Sequence, residues 1–259
     1  MSELRAPTFR QAALFAILMD GILLVLGWLL IGPPQTMRAV ASYKVTALIG
    51  LPTITQLLEP AHQFSVIGFH ELGVLKVILA CLMYVLFLLA NAYYIGLLAR
   101  TFRDLPTTAT QDAARAWPNL LLWMLIQMAV QGVFTVIVML FGDLIHGPLR
   151  NVVIGAVLIL GLLGFRLVFL YMEYATVVLR LSALAALKKS LALLRVSRTE
   201  SVRRFFTLCI VSFVLGFAVN RFFGVPVLMG TLLVNALVQT WLQLGLMESF
   251  FRAQERLQG

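Results

Sequence analysis

The chain has 259 residues, of which 61% are hydrophobic and only 12% charged, with a formal net charge of +9. A soluble domain carries about a quarter charged residues and an apolar share near half. At a mean hydropathy of +0.96, the composition therefore excludes an ordinary soluble globular protein and points to a polytopic membrane protein. In a soluble chain this much positive charge would indicate nucleic acid; here Lys and Arg in the loops that orient membrane helices account for it, and no nucleic-acid partner is expected.

Arg5 and Arg10 precede an apolar run from Gln11 to Gly32 that closes at Pro33-Pro34. A secretory signal has an apolar core of only about 7–15 residues, so the run reads as an uncleaved first spanning helix. Crossing the hydrocarbon takes about 20 mostly apolar residues in a helix. Five more stretches qualify, giving spans at 11–32, 73–100, 118–142, 150–180, 203–223 and 226–251. The expected fold class is all-α, a helix bundle forming a single transmembrane domain over 1–259.

Fourteen of the 20 basic residues fall at the N-terminus, the 100–117 and 180–204 connections and the C-terminus. Only Arg38, Lys44, Lys76, Arg150 and Arg221 fall on the other side, and Arg166 lies within a span. The bias predicts that both termini are cytoplasmic. Six of the fourteen, Lys188, Lys189, Arg195, Arg198, Arg203 and Arg204, crowd one connection. There Leu184, Leu187, Leu191 and Leu194 recur at helical spacing, which predicts an amphipathic helix over about 183–196 before the fifth span. Such a helix would lay its leucines in the headgroup layer and its cations on anionic lipid; a surface for a protein partner is the rarer reading. Ser197-Arg-Thr-Glu200 matches a capping box that would start the next helix. The 100–117 connection is a smaller version of this design, with Arg100 ending a helix, an Ala-rich segment, and Pro118 opening the third span.

The long connection between the first two spans contains VTALIGLPTITQLL, residues 45–58, too short to span and interrupted by Pro52. Stretches of this length are often interfacial or re-entrant, and a helix resting on the outer face is the favoured expectation. Inside the spans, ionisable groups are costly unless paired or wet. Asp20 lies about 15 Å from the cytoplasmic end, Arg166 about 21 Å and Glu173 about 10 Å at 1.5 Å per residue. The depths predict a charge cluster in which the first span packs on the fourth and Asp20 pairs with Arg166, Glu173 completing the set or reaching Tyr171 or Asn91. It reads as a buried ion pair or as a proton or anion relay. Gln127, Gln131 and Thr135 in the third span and Asn235, Gln239 and Gln243 in the sixth each run i, i+4, i+8 at matching depths. They predict an interhelical ladder of hydrogen bonds, with a polar wall along a solute path as the alternative.

Conventional chemistry is missing from the sequence. FHELGV (69–74) starts like a zinc-protease motif but has Val74 where the second histidine belongs. Cys81 and Cys209 have neither metal-ligand nor disulfide spacing, and neither a nucleophile elbow nor a phosphate loop occurs. No catalytic, metal or cofactor residues are assigned. The acidic Glu173 followed by AALKKSLALLR (185–195) and RRFF (203–206) resembles a set of bacterial six-helix inner-membrane proteins, among them the membrane domain that accompanies glycerophosphodiester phosphodiesterases. The resemblance covers about a third of the chain and implies a bacterial inner-membrane module with no transferable catalytic residues. The leading functional expectation is a non-enzymatic accessory or structural component of a membrane assembly, with lipid contacts and a protein partner or second copy. The alternative is a transporter or permease for a small solute or lipid that uses the intramembrane charges.

Overall fold

A computed structural model describes residues 6–31, 50–54, 57, 74–142, 150–222 and 224–258. Among these, eight helical segments occur and no strand: α1 (Ala6–Ile31), α2 (Val74–Arg100), α3 (Ala109–Gly142), α4 (Arg150–Val168), α5 (Met172–Val178), α6 (Ala183–Val196), α7 (Arg198–Arg221) and α8 (Val225–Gln258). With α4 and α5 forming one interrupted span, six are long and apolar enough to cross a membrane. The chain is an integral membrane helix bundle, as its composition requires.

The helices differ from the expected spans where local chemistry intervenes. Pro118 does not open a new helix but lies inside the 34-residue α3. Proline removes one i→i−4 bond, and the carbonyl it abandons belongs to Ala114, where both residues are exposed. The fourth span is broken at 169–171, where Met172 N–H donates to Phe169 O at 3.1 Å, and Arg180, two residues past the end of α5, has φ 56°. That left-handed residue follows the Leu179 C-cap, a place where glycine is more usual.

α6 covers the range anticipated for the amphipathic helix, but the face it buries is Ala183, Ala186, Ser190 and Leu193, while Leu184 of the predicted leucine stripe is exposed. Small side chains let α6 approach α5 and α8 closely. The capping box is not formed. Ser197 N–H already donates to Leu193 O at 3.0 Å and its hydroxyl to the same carbonyl at 2.8 Å. With α6 and α7 abutting at this one residue, Glu200 has no free N–H to reach back to; it accepts from Ser249 and Arg204, each at 2.9 Å.

α8 is the hub of the bundle, packing on α1, α2, α6 and α7, while α3 and α4 pack on each other and on the α2–α5 side. The face that bears the start of α7 and the end of α8 (the basic face) is stapled by Asp112. This carboxylate is buried in the first turn of α3 and accepts from Arg100 at 2.7 Å, from Thr107 Oγ1 at 2.7 Å and from Arg180 at 3.3 Å. Arg100 ends α2 and Asp112 begins α3, so each charge also complements its helix dipole. Asp112→Asn is expected to lower stability by about 1.5–3 kcal/mol, the range for hydrogen bonds to charged groups. Glu255→Gln, which removes an exposed pair with Arg103, should cost less than about 1 kcal/mol. Equilibrium unfolding in mixed detergent micelles checks both.

Candidate functional site

Residues 50–54 and 57 do not form a helix on the outer face. They lie inside the bundle, and Leu51, Thr53, Ile54 and Leu57 are no more than 1% exposed. An irregular backbone exposes amide groups that hydrocarbon cannot satisfy, and here side chains from four helices supply the partners. Gln243 of α8 pairs with Gly50 as another strand would, accepting its N–H at 2.9 Å and donating to its O at 2.5 Å. Asn91 of α2 accepts from Leu51 N–H at 2.7 Å. Both carboxylate oxygens of Asp20 in α1 lie on Ile54 N–H, at 2.9 and 2.8 Å. Asn220 of α7 donates to Leu57 O at 2.8 Å.

The depth of the segment follows from these anchors. Gln243 lies about 13 Å along α8 from Arg252, and Asn91 about 13 Å along α2 from Arg100. Gly50 is therefore near the middle of a hydrocarbon layer about 30 Å thick. Asn220, by contrast, is one residue from the far end of α7. Both flanking helices, α1 and α2, meet this connection at the face opposite the basic one, and Gly50 lies deeper in the bundle than the helix ends that flank it. The segment is re-entrant. Ile54 and Leu57 pack with Leu24, Val219, Leu228 and Leu232 in a small apolar cluster.

Gly50 suits its position in two ways. Its φ is +88°, and a Cβ there would overlap the amide of Asn91. Along α8, the stripe that begins at Gln243 continues outward through Gln239 and Asn235 to Leu232 and Leu228, beside the segment. Gln239 donates to Ser212 of α7 at 2.9 Å, but its Oε1 has no partner. Asn235 is 0% exposed and neither end of its amide is bonded among the described residues; the Thr53 hydroxyl is likewise buried and unpartnered there. Buried polar groups are rarely left unpaired. Asn235 and Gln239 thus leave unpaired amide atoms on α8 between Gln243, which meets Gly50, and Leu232, which packs with Ile54 and Leu57.

The predicted charge cluster is divided. Arg166 and Glu173 form an ion pair at 2.8 Å, but α1 packs chiefly on α2 and α8, and Asp20 is on the re-entrant backbone instead. No basic side chain among the described residues pairs with Asp20. Tyr171, anticipated as a partner of Glu173, meets Ser201 at 2.6 Å, and Asn91 serves Leu51. The ladder between the third and sixth spans is also absent, because α3 and α8 are not neighbours. Gln243 holds Gly50, Gln239 holds Ser212, and Thr135 bonds back to Gln131 O of its own helix at 2.8 Å. Gln127 and Gln131 are half-buried on α3. Of the basic residues assigned to a lipid or partner surface, Lys188, Arg195, Arg198 and Arg203 are exposed, Lys189 is half-buried, and Arg204 is tied to Glu200 and Glu248. Gly50 and Asn220 were not anticipated as functional; the signal available was a Gly-x-Pro in an apolar run and an amide near a helix end. His62, His70, Glu71 and His146 lie outside the described residues.

Gly50→Ala is expected to destabilise the protein by about 1–3 kcal/mol, from backbone strain alone before the overlap with Asn91 is counted. Gly216→Ala, whose Cβ would stand 3.5 Å from Leu57 O in ordinary contact, should stay within about 1 kcal/mol. Thermal denaturation of the two variants in one detergent makes the comparison.

No protein-family model, curated protein or solved structure matches the chain.

Proposed function

We propose that the protein is a non-enzymatic membrane transporter for a small cation, with the cation passing beside Gly50–Ile54. The observation that supports this reading is the irregular backbone held at mid-span by side chains of α1, α2 and α8. Such backbone is tolerated in membranes where protein encloses it or where it lines a path, and transporter sites lie near the midplane at interrupted chain. A bundle that only supported other proteins could join α1 to α2 by a surface loop. Asp20 adds an ionisable carboxyl without a basic partner among the described residues, and such groups mark ion pathways. The unpaired oxygens of Asn235, Gln239 and Thr53 are the hard donors a proton-bearing water or an alkali ion takes. The basic-residue bias favours cytoplasmic termini, and the resemblance carried by Glu173, 185–195 and 203–206 favours a bacterial inner membrane.

A second reading, an accessory component of a membrane assembly, is favoured by one observation. The far halves of α3 and α4 stand away from the bundle, with Val133, Leu140, Phe141, Val152 and Leu160 each at least 60% exposed. The Gln127–Gln131–Thr135 stripe lies on this hairpin without meeting α8, and Gly132, Gly155 and Gly164 have open space above them. Lipid covers the apolar side chains well; amides gain more from another helix.

Liposomes carrying the wild-type protein are expected to dissipate an imposed proton or sodium gradient. Asp20→Asn, which keeps an acceptor for Ile54 N–H, should slow the initial rate at least about tenfold while the fold persists. Wild-type rates equal to those of empty liposomes for both ions would end the transport reading in favour of the assembly one.

A further inference from the structure

On the basic face, the end of α6, the first two turns of α7 and the last turns of α8 enclose a cleft of about 590 Å³. Six arginines line it, Arg195, Arg198, Arg203, Arg204, Arg252 and Arg256, against one acid, Glu200. The arginines fall into two groups. Arg204 bridges Glu200 at 2.9 Å and Glu248 at 3.1 Å, and Arg252 pairs with Glu248 and, at 3.7 Å, with Glu200. Two cations and two anions form a neutral floor. Gly245 leaves the room Arg204 uses to cross α8, since a Cβ there would overlap its guanidinium. The other four, Arg195, Arg198, Arg203 and Arg256, are exposed and have no acidic partner among the described residues.

We propose that this cleft binds a phosphate-bearing anion of charge −2 or more, such as a phosphomonoester or a diphosphate. Four guanidinium groups held around one concavity repel one another, and a multivalent anion among them removes that repulsion. Arginine presents paired N–H donors that match phosphate oxygens two at a time. The 24-residue α7 starts in the cleft at Arg198, so the positive end of its dipole points the same way. Glu200, the carboxylate in that first turn, opposes an anion little because Arg204, Arg252 and Ser249 already occupy it. The cleft sits where α7 and α8 leave the hydrocarbon, at the level of lipid phosphates. The same chemistry could thus come from an anionic lipid headgroup or from a soluble organophosphate. Lys188 and Lys189, the most conspicuous cations of α6, do not line the cleft.

The full chain in phosphatidylcholine nanodiscs tests the proposal with two probes, pyrophosphate in the buffer and phosphatidic acid in the disc, each read by the rise in melting temperature across a titration. At least one probe is expected to stabilise the wild type. Arg198→Gln with Arg203→Gln should weaken it at least about tenfold, and Lys188→Gln with Lys189→Gln should leave it unchanged. Stabilisation by pyrophosphate assigns a soluble ligand, and stabilisation by phosphatidic acid alone assigns a lipid. The two arginines break no ion pair when replaced, and Arg256→Gln on α8 gives an independent check should the double variant not fold. The proposal is overturned if neither probe binds the wild type, if the arginine variants bind like the wild type, or if the lysine pair loses as much as the arginine pair.

Discussion

The structure depends on one constraint: backbone that is not helical has no water to turn to inside a membrane. Every N–H and C=O of Gly50–Ile54 must find its partner within the protein. That requirement accounts for the placement of Gln243, Asn91, Asp20 and Asn220, whose bonds to the segment come from α8, α2, α1 and α7. These side chains stand in for a missing strand. Gln243 does so most fully, because its amide has the donor and acceptor of a peptide group and meets both polar atoms of Gly50. A glycine at that point lets Asn91 close over the backbone while the chain turns through positive φ.

The same constraint divides the bundle into a polar and an apolar half. α8 collects the buried polar contacts: Gln243 with Gly50, Thr240 with Tyr94 at 3.0 Å, and Gln239 with Ser212. Hydrogen bonds of this kind are individually modest, about 0.6–2 kcal/mol, but they fix which helices are neighbours. α3 and α4 are joined to the rest by the Asp112 and Arg166–Glu173 ion pairs and by aromatic packing, with Trp123 and Phe169 ring centres 4.5 Å apart. Asn235 stands out in the polar half as a fully buried amide with nothing bonded to it among the described residues.

On the basic face, charge is used in two distinct ways. Asp112 and the Glu200–Arg204–Glu248–Arg252 network neutralise cations where helices must be held together. Arg195, Arg198, Arg203 and Arg256 remain as free positive charge around a concavity. Topology by the basic-residue bias explains that such residues lie on one side of the membrane; it does not explain why four of them converge around a single cleft while Lys188 and Lys189 stay outside it.

The amino-acid sequence alone determined that the protein is a six-span helical membrane bundle, because spanning length and apolar composition are set residue by residue along each helix. It also placed a helix at 183–196 and singled out Asp20, Asn235, Gln239 and Gln243, which lie buried in the bundle. What it could not determine was their partners. Depth along a helix can be counted, which is why Gln131 and Gln239 matched in level; the direction around the axis and the identity of the adjacent helix depend on packing over the whole chain. Only the tertiary structure decided that α8 faces α1, α2 and α7 rather than α3, that Asp20 serves a backbone amide rather than Arg166, and that residues 50–54 and 57 enter the bundle. The physical reason is that 45–58 is apolar enough for either an interface or an interior, and the place of 50–54 and 57 was set by distant side chains able to bond their backbone.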